Sequence, residues 1–173
     1  EGPDDACAPR HRPMTVTAVR GGRVALPNAL ASEDLEPRYC PPTEVRVERR
    51  GAGNCSRQEA NYAVANPVHT SRLLACEVLT PGGNWSSYPP HKHDEESQVE
   101  HELEELYYFE IRGDEHGPGL AFHGTYGTPD RPIHVAEMIS SGDVALVPHG
   151  WHGPCAAAPG YDLYYLNVMA EQA

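Results

Sequence analysis

LEELYYFEI, residues 103–111, is the stretch whose alternation decides the fold. In a strand, successive side chains point to opposite faces. One face is then Leu103, Glu105, Tyr107, Phe109 and Ile111; the other is Glu104, Leu106, Tyr108 and Glu110. The first face is apolar except for Glu105, so it is the one that faces a core. A lone carboxylate on a buried face is costly unless a cation meets it. That cation is either an arginine or a metal ion. The neighbouring Glu104 belongs to the solvated face.

Similar short runs surround this one. VRVER (45–49), NYAVA (61–65), SRLLACEVL (71–79), GLAFHGTYG (119–127), HVAEMI (134–139), DVALVP (143–148) and DLYYLNVM (162–169) have strand composition and are bounded by Gly, Pro, Asn and Asp. With 17 prolines and 16 glycines, few uninterrupted long helices are possible. The expected class is all-β, a sandwich or small barrel. Residues 1–14 read as a disordered tail. TVTAV (15–19) and RVAL (23–26) read as strand fragments, and the proline-punctuated 31–44 as a linker. The acidic run after Asp94 reads as a solvated insertion.

The segment GGNWSSYPPHKHDEES (82–97) holds two histidines two residues apart. On a strand, His91 and His93 share a face and both imidazoles can reach one cation, while Lys92 points away. With ten histidines in the chain, such a pair carries little weight alone. Glu105, selected by parity, adds a carboxylate. SGDVALVPHGWHGP (141–154) offers His149 and His152. His149 lies within the turn, where exposure is the default. His152 follows the turn and can fold back toward the barrel axis, so it is the better candidate. His91, His93, Glu105 and His152 form a nitrogen and oxygen donor set that suits a divalent metal ion, Zn, Mn, Fe, Co or Ni.

The formal net charge is −12, which disfavours nucleic acid as a partner. No apolar run reaches membrane-spanning length. The five cysteines form no CxxC pair and read as free thiols in a reducing cytoplasm.

HxH, then Glu, then GDxxxxPxG followed by His resembles the two cupin motifs. RGAGNCSRQ (50–58), LTPGGNWSSYPPHKHD (79–94), LEELYYF (103–109) and GDVALVPHGWHGPCAAAPGYDLYYLNVMA (142–170) closely resemble the 5-deoxyglucuronate isomerase family of myo-inositol catabolism. The resemblance runs from about residue 43 to 170. It implies a cupin fold, with residues 43–173 as the second of two cupin domains and residues 15–42 as a remnant of the first plus linker. The implied metal ligands are His91, His93, Glu105 and His152. The implied reaction is aldose–ketose isomerisation of 5-deoxy-D-glucuronate, a small anionic sugar acid. A non-catalytic sugar-binding cupin and an Fe(II)-dependent dioxygenase are the alternatives. Tyr107 and Tyr165 are candidate catalytic groups, and Arg57, Trp85, Ser87 and Asn167 candidate substrate contacts. A homo-oligomer is a further expectation.

Overall fold

A computed structural model describes residues 5–64, 68–98, 100–115 and 117–171. The alternating runs form strands because each buries one face, and apart from one 3-10 turn at Gly53–Cys55 no helix occurs among the described residues. The strands are β1 (Asp5–Cys7), β2 (Arg38–Cys40), β3 (Arg46–Arg50), β4 (Arg57–Asn61), β5 (Leu73–Thr80) and β6 (Trp85–Ser86), then β7 (Leu103–Ile111), β8 (Ala121–Tyr126), β9 (His134–Ile139), β10 (Val144–Val147), β11 (Trp151–Ala157) and β12 (Leu163–Glu171).

One sheet has the order β10-β7-β12-β5-β4-β3 and the other β6-β11-β8-β9. Every pairing is antiparallel. The core draws on both: Val78, Tyr107, Phe109, Leu163 and Tyr165 from the larger sheet meet Ala121, Ile139, Cys155 and Ala157 from the smaller. This is the all-β barrel of two facing sheets that the cupin resemblance implies. The parity of residues 103–111 is as the sequence indicates, with Glu105, Tyr107, Phe109 and Ile111 all buried.

Several readings need correction. Residues 15–19 and 23–26 are not strands. They find no sheet to pair with, and Val19 stays 91% exposed. Asp5–Cys7, read as part of a tail, pairs instead with Arg38–Cys40 in the linker region. These strands, the arm between them and Tyr62, Val68, Leu73 and Ala75 line an open cavity of about 640 Å³ that shares no residue with the site below. The strand read at 61–65 is Arg57–Asn61, so only its first residue was right; residue 65 lies outside the described residues. β11 is concealed in the sequence by Gly153-Pro154, which reads as a turn. The chain passes this pair as an irregularity, with the register shifting between His152 and Cys155. Both His152 and Cys155 therefore face inward although they lie an odd number of positions, three, apart.

Phe109 is fully buried between the sheets. Phe109→Ala is expected to destabilise the fold by about 3–5 kcal/mol, measured by denaturant unfolding.

Candidate metal centre

Three chain segments meet at one end of the barrel. His91 forms an antiparallel bridge to His152, with both backbone hydrogen bonds made (His91 N to His152 O 3.2 Å, His152 N to His91 O 2.9 Å). Two residues on, the His93 carbonyl accepts from Leu103 N at 2.9 Å. That bond closes residues 94–102 into a side excursion. Glu105 thus lies two residues into β7 from His93's neighbour, although it is twelve residues away in sequence.

The imidazoles of His91, His93 and His152 converge, with ligand atoms all within 4.8 Å of one another. Ring centroids are 4.4–5.5 Å apart. His91 Nδ1 is 3.1 Å from the Pro89 carbonyl and His152 Nδ1 is 3.4 Å from the Gly150 carbonyl. A carbonyl only accepts, so these contacts assign the proton to Nδ1 and leave each Nε2 lone pair free for a cation. Burial lowers the pKa of both His91 and His93, which favours the neutral, ligating form.

Glu105 completes the set. Its Oε1 accepts from Asn167 Nδ2 at 2.7 Å. Its Oε2 stands 2.8 Å from His152 Nε2. These two atoms do not meet in hydrogen-bonding geometry, and neither has a hydrogen-bond partner among the described residues. Two buried, orphaned donor atoms aimed at the same point are the arrangement a coordinated cation resolves, so the residues fit a divalent metal. Burial pushes the Glu105 pKa up, but His152, Asn167 and Tyr107 outweigh it and hold it at about 2. The group is a carboxylate at any ordinary pH.

The residues named from sequence separate into those brought here and those left elsewhere. Ser87 Oγ lies 3.3 Å from Tyr107 Oη and 3.1 Å from Tyr165 Oη, so one hydroxyl ties together two buried tyrosines. Asn167 supports Glu105 and packs against the Cys76 thiol, behind the carboxylate. Trp85 does not share a face with His91. It points outward and is 41% exposed, while Ser86 is buried. The alternation breaks at Ser87, whose φ is +46°, and the Ser87 side chain turns inward out of phase. Gly153, at φ +89°, makes room for that break: a Cβ there would sit 1.9 Å from the Ser87 carbonyl oxygen. Arg57 is not brought to the centre. It precedes Gln58, which pairs with Leu79, and so lies level with the Ile111 end of β7, six residues from Glu105. Its guanidinium donates to the Cys55 carbonyl.

Two residues were missed. His123 is buried on the inner face of β8, with its ring nitrogens 3.3 Å from Cys155 Sγ and 3.2 Å from Thr125 Oγ1. Burial lowers its pKa to about 4. Applying the parity rule to 119–127 would have found it, between inward Ala121 and Thr125. The second is Asp94, which is not solvated. Its Oδ1 accepts from Lys92 Nζ at 2.8 Å, and its Oδ2 from Gly150 N at 2.9 Å and Arg131 Nη1 at 3.2 Å. Lys92 also pairs with Glu95 and Glu100, so it does point away from the imidazoles, into the excursion. Asp94 therefore clamps the segment carrying His91 and His93 to the turn that leads into β11 and His152.

The sequence profile of the KduI/IolB family matches residues 1–173. A 5-deoxy-glucuronate isomerase of Geobacillus kaustophilus (strain HTA426) is 44% identical over 170 residues, covering 97% of this chain and 59% of that protein. One of Bacillus subtilis (strain 168) is 38% identical over 160 residues, covering 92% of this chain and 57% of that protein. The crystal structure of an IolB-like protein from Salmonella typhimurium is 37% identical with a TM-score of 0.69, covering 82% of this chain and 52% of that chain. A structure of oxalate oxidase shares the fold at 16% identity and a TM-score of 0.54, covering 96% of this chain and 74% of that one. The chain spans less than two thirds of the length of the curated relatives it matches.

Asp94→Ala removes three hydrogen bonds, two of them to charged donors. It is expected to cost about 1.5–3 kcal/mol in denaturant unfolding. Backbone exchange should rise at His91 and His152 and stay unchanged in β12.

Proposed function

The chain belongs to the KduI/IolB family, and on that premise we propose that it forms the metal-binding barrel of a 5-deoxy-glucuronate isomerase. The observation that carries this reading is the pair of orphaned atoms, Glu105 Oε2 and His152 Nε2, converging with two further imidazoles in a barrel with a polar wall. Support comes from relatives of that name at 37–50% identity.

The proposed reaction converts 5-deoxy-D-glucuronate to 5-dehydro-2-deoxy-D-gluconate. One proton leaves the carbon beside the aldehyde and one is delivered to the aldehyde carbon, while the hydroxyl proton passes to the former carbonyl oxygen. A divalent cation held by His91, His93, Glu105 and His152 supplies Lewis acidity that polarises the carbonyl and steadies the developing negative charge. The chain's own groups manage the protons. Burial raises the Tyr107 pKa well above its ordinary value, so its phenol stays protonated and serves as a donor to an oxyanion. Ser87 fixes the Tyr107 and Tyr165 hydroxyls at one point, which pre-organises that donor. His123, kept neutral by burial, is the wall's candidate proton acceptor. Enclosure between two sheets excludes bulk water from the intermediate.

Purified protein is expected to contain about one equivalent of divalent metal per chain by elemental analysis. Glu105→Gln should lose most of it, whereas Glu104→Gln on the solvated face should keep it. In an isomerase assay on metal-loaded protein, Tyr107→Phe and His123→Asn should each lower kcat by about 10²–10⁴-fold while retaining metal. Stoichiometric metal with no isomerisation would overturn the enzymatic reading in favour of a sugar-binding barrel.

A further inference from the structure

His123 is buried in the barrel wall outside the metal set, and its surroundings differ in kind from those of the ligands. His91 and His152 each hold Nδ1 against a backbone carbonyl, which only accepts and so locks one tautomer. His123 is flanked instead by two groups of no fixed polarity. Its Nδ1 lies 3.3 Å from Cys155 Sγ and its Nε2 lies 3.2 Å from Thr125 Oγ1. A thiol and a hydroxyl each donate or accept. Both neutral forms of the imidazole are therefore satisfied. Either Nδ1–H donates to Sγ while Thr125 donates to Nε2, or the thiol donates to Nδ1 while Nε2–H donates to Thr125.

The thiol carries this contact across the barrel wall. Cys155 pairs in register with Ser86, whose hydroxyl donates to the Cys155 carbonyl at 3.3 Å. The next residue, Ser87, turns its own hydroxyl to the Cys155 sulfur. Burial pushes the thiol pKa far up against that hydrogen bond, so the sulfur keeps its proton. Ser87 Oγ also meets Tyr107 Oη at 3.3 Å and Tyr165 Oη at 3.1 Å. Three partners fill the capacity of one hydroxyl, which donates once and accepts twice. Thr125, His123, Cys155, Ser87 and the two tyrosines thus form one relay of neutral groups, each with a single transferable proton. The relay doubles back: the rings of His123 and Tyr107 lie side by side, with centroids 5.1 Å apart.

Packing alone does not call for this arrangement. Sulfur is a weak donor and a weak acceptor, so it holds a buried imidazole less firmly than a carbonyl or carboxylate does. Phe109, Ala121, Ala157 and Leu163 close the adjoining core with apolar side chains. What the thiol supplies is reversibility, because its proton serves either neighbour and leaves no charge behind.

We infer that Cys155 is a positioning residue for proton transfer, its thiol joining His123 to Ser87 so that protons shift in concert between His123 and Tyr107. The use of this relay rests on the isomerase reading; its geometry does not. In the first half-reaction, Thr125 turns aside and His123 Nε2 takes the proton from the carbon beside the aldehyde. The freed electron pair forms the enediol double bond. The Nδ1 proton passes to Sγ, the thiol proton to Ser87 Oγ, the Ser87 proton to Tyr107 Oη and the Tyr107 proton to the aldehyde oxygen. In the second half the other enediol hydroxyl gives its proton to Tyr107 and becomes the ketone oxygen. Every shift reverses, and Nε2–H is delivered to the former aldehyde carbon. Each group ends as it began.

Nitrogen-15 NMR of the imidazoles in the zinc-loaded full chain at neutral pH reads the relay directly. In the wild type both His123 ring nitrogens should resonate between the protonated and unprotonated positions, the mark of two tautomers in exchange. His91 and His152 should each show one form. Cys155→Ser keeps a group that donates and accepts, so it should preserve the His123 pattern. Cys155→Ala should collapse it to one tautomer. In the isomerase assay Cys155→Ala should lower kcat at least about tenfold with KM and metal content held, and Cys155→Ser should recover most of that loss. A single His123 tautomer in the wild type would overturn the inference, as would a pattern untouched by Cys155→Ala. If Cys155→Ala fails to fold, the wild-type spectrum decides. The expected spectra without turnover in the wild type would overturn the isomerase reading and leave the relay standing.

Discussion

The site rests on one buried charge. Glu105 is ionised inside a barrel, and a carboxylate withdrawn from water is tolerated only where its oxygens are satisfied. Asn167 satisfies one oxygen from the adjacent strand of the same sheet, and the other is left facing His152 across the barrel. Glu105 thereby fixes which end of the barrel gathers the imidazoles. The Asn167 position, one strand over and level with Tyr107, follows from the antiparallel register of β12 against β7. An apolar residue at 167 would leave both the carboxylate and the Cys76 thiol without that partner.

Around that charge, the structure uses departures from regular strand geometry to place polar groups. The irregularity between His152 and Cys155 brings both inward. The positive φ at Ser87 brings its hydroxyl to two tyrosines, and Gly153 leaves space for the Ser87 backbone. These features lie beside the centre, while β5, β7 and β12 in the larger sheet run in unbroken register. A regular sheet supplies the rigid wall, and the broken alternation opposite aims the side chains. Asp94 then holds the two histidine-bearing segments together from outside the barrel, using Lys92 and Arg131 to offset its own charge.

The two faces of the smaller sheet illustrate how much a period-two pattern encodes. Along β8, Ala121, His123 and Thr125 serve the barrel, and Phe122, Gly124 and Tyr126 serve the outside. Aromatic residues on the outer face of an acidic protein do not add to its own core.

Strand identity and facing were legible wherever alternation was uninterrupted, because side-chain direction in a strand is a local property. That is why 103–111 and 134–139 have the observed limits, why Glu105 rather than Glu104 could be named, and why the same rule applied to 119–127 would have yielded His123. Where a glycine, proline or positive φ resets the phase, local parity fails. Trp85, named as a substrate contact, faces outward there, and β11 does not show as a strand in the sequence. Partnership lies further out of reach. The valines of 15–19 have strand composition and no sheet to join, whereas Asp5–Cys7 has a partner 31 or more residues away. The role of Asp94 was out of reach because nothing within its own segment shows that Gly150 and Arg131 come to meet it. The sequence determined the class of fold, the buried carboxylate and the donor set, since these depend on residue type and on a two-residue period. Tertiary structure alone decided which atoms converge, which stay orphaned and which strands share a sheet, because those depend on long-range strand order and on where the register breaks.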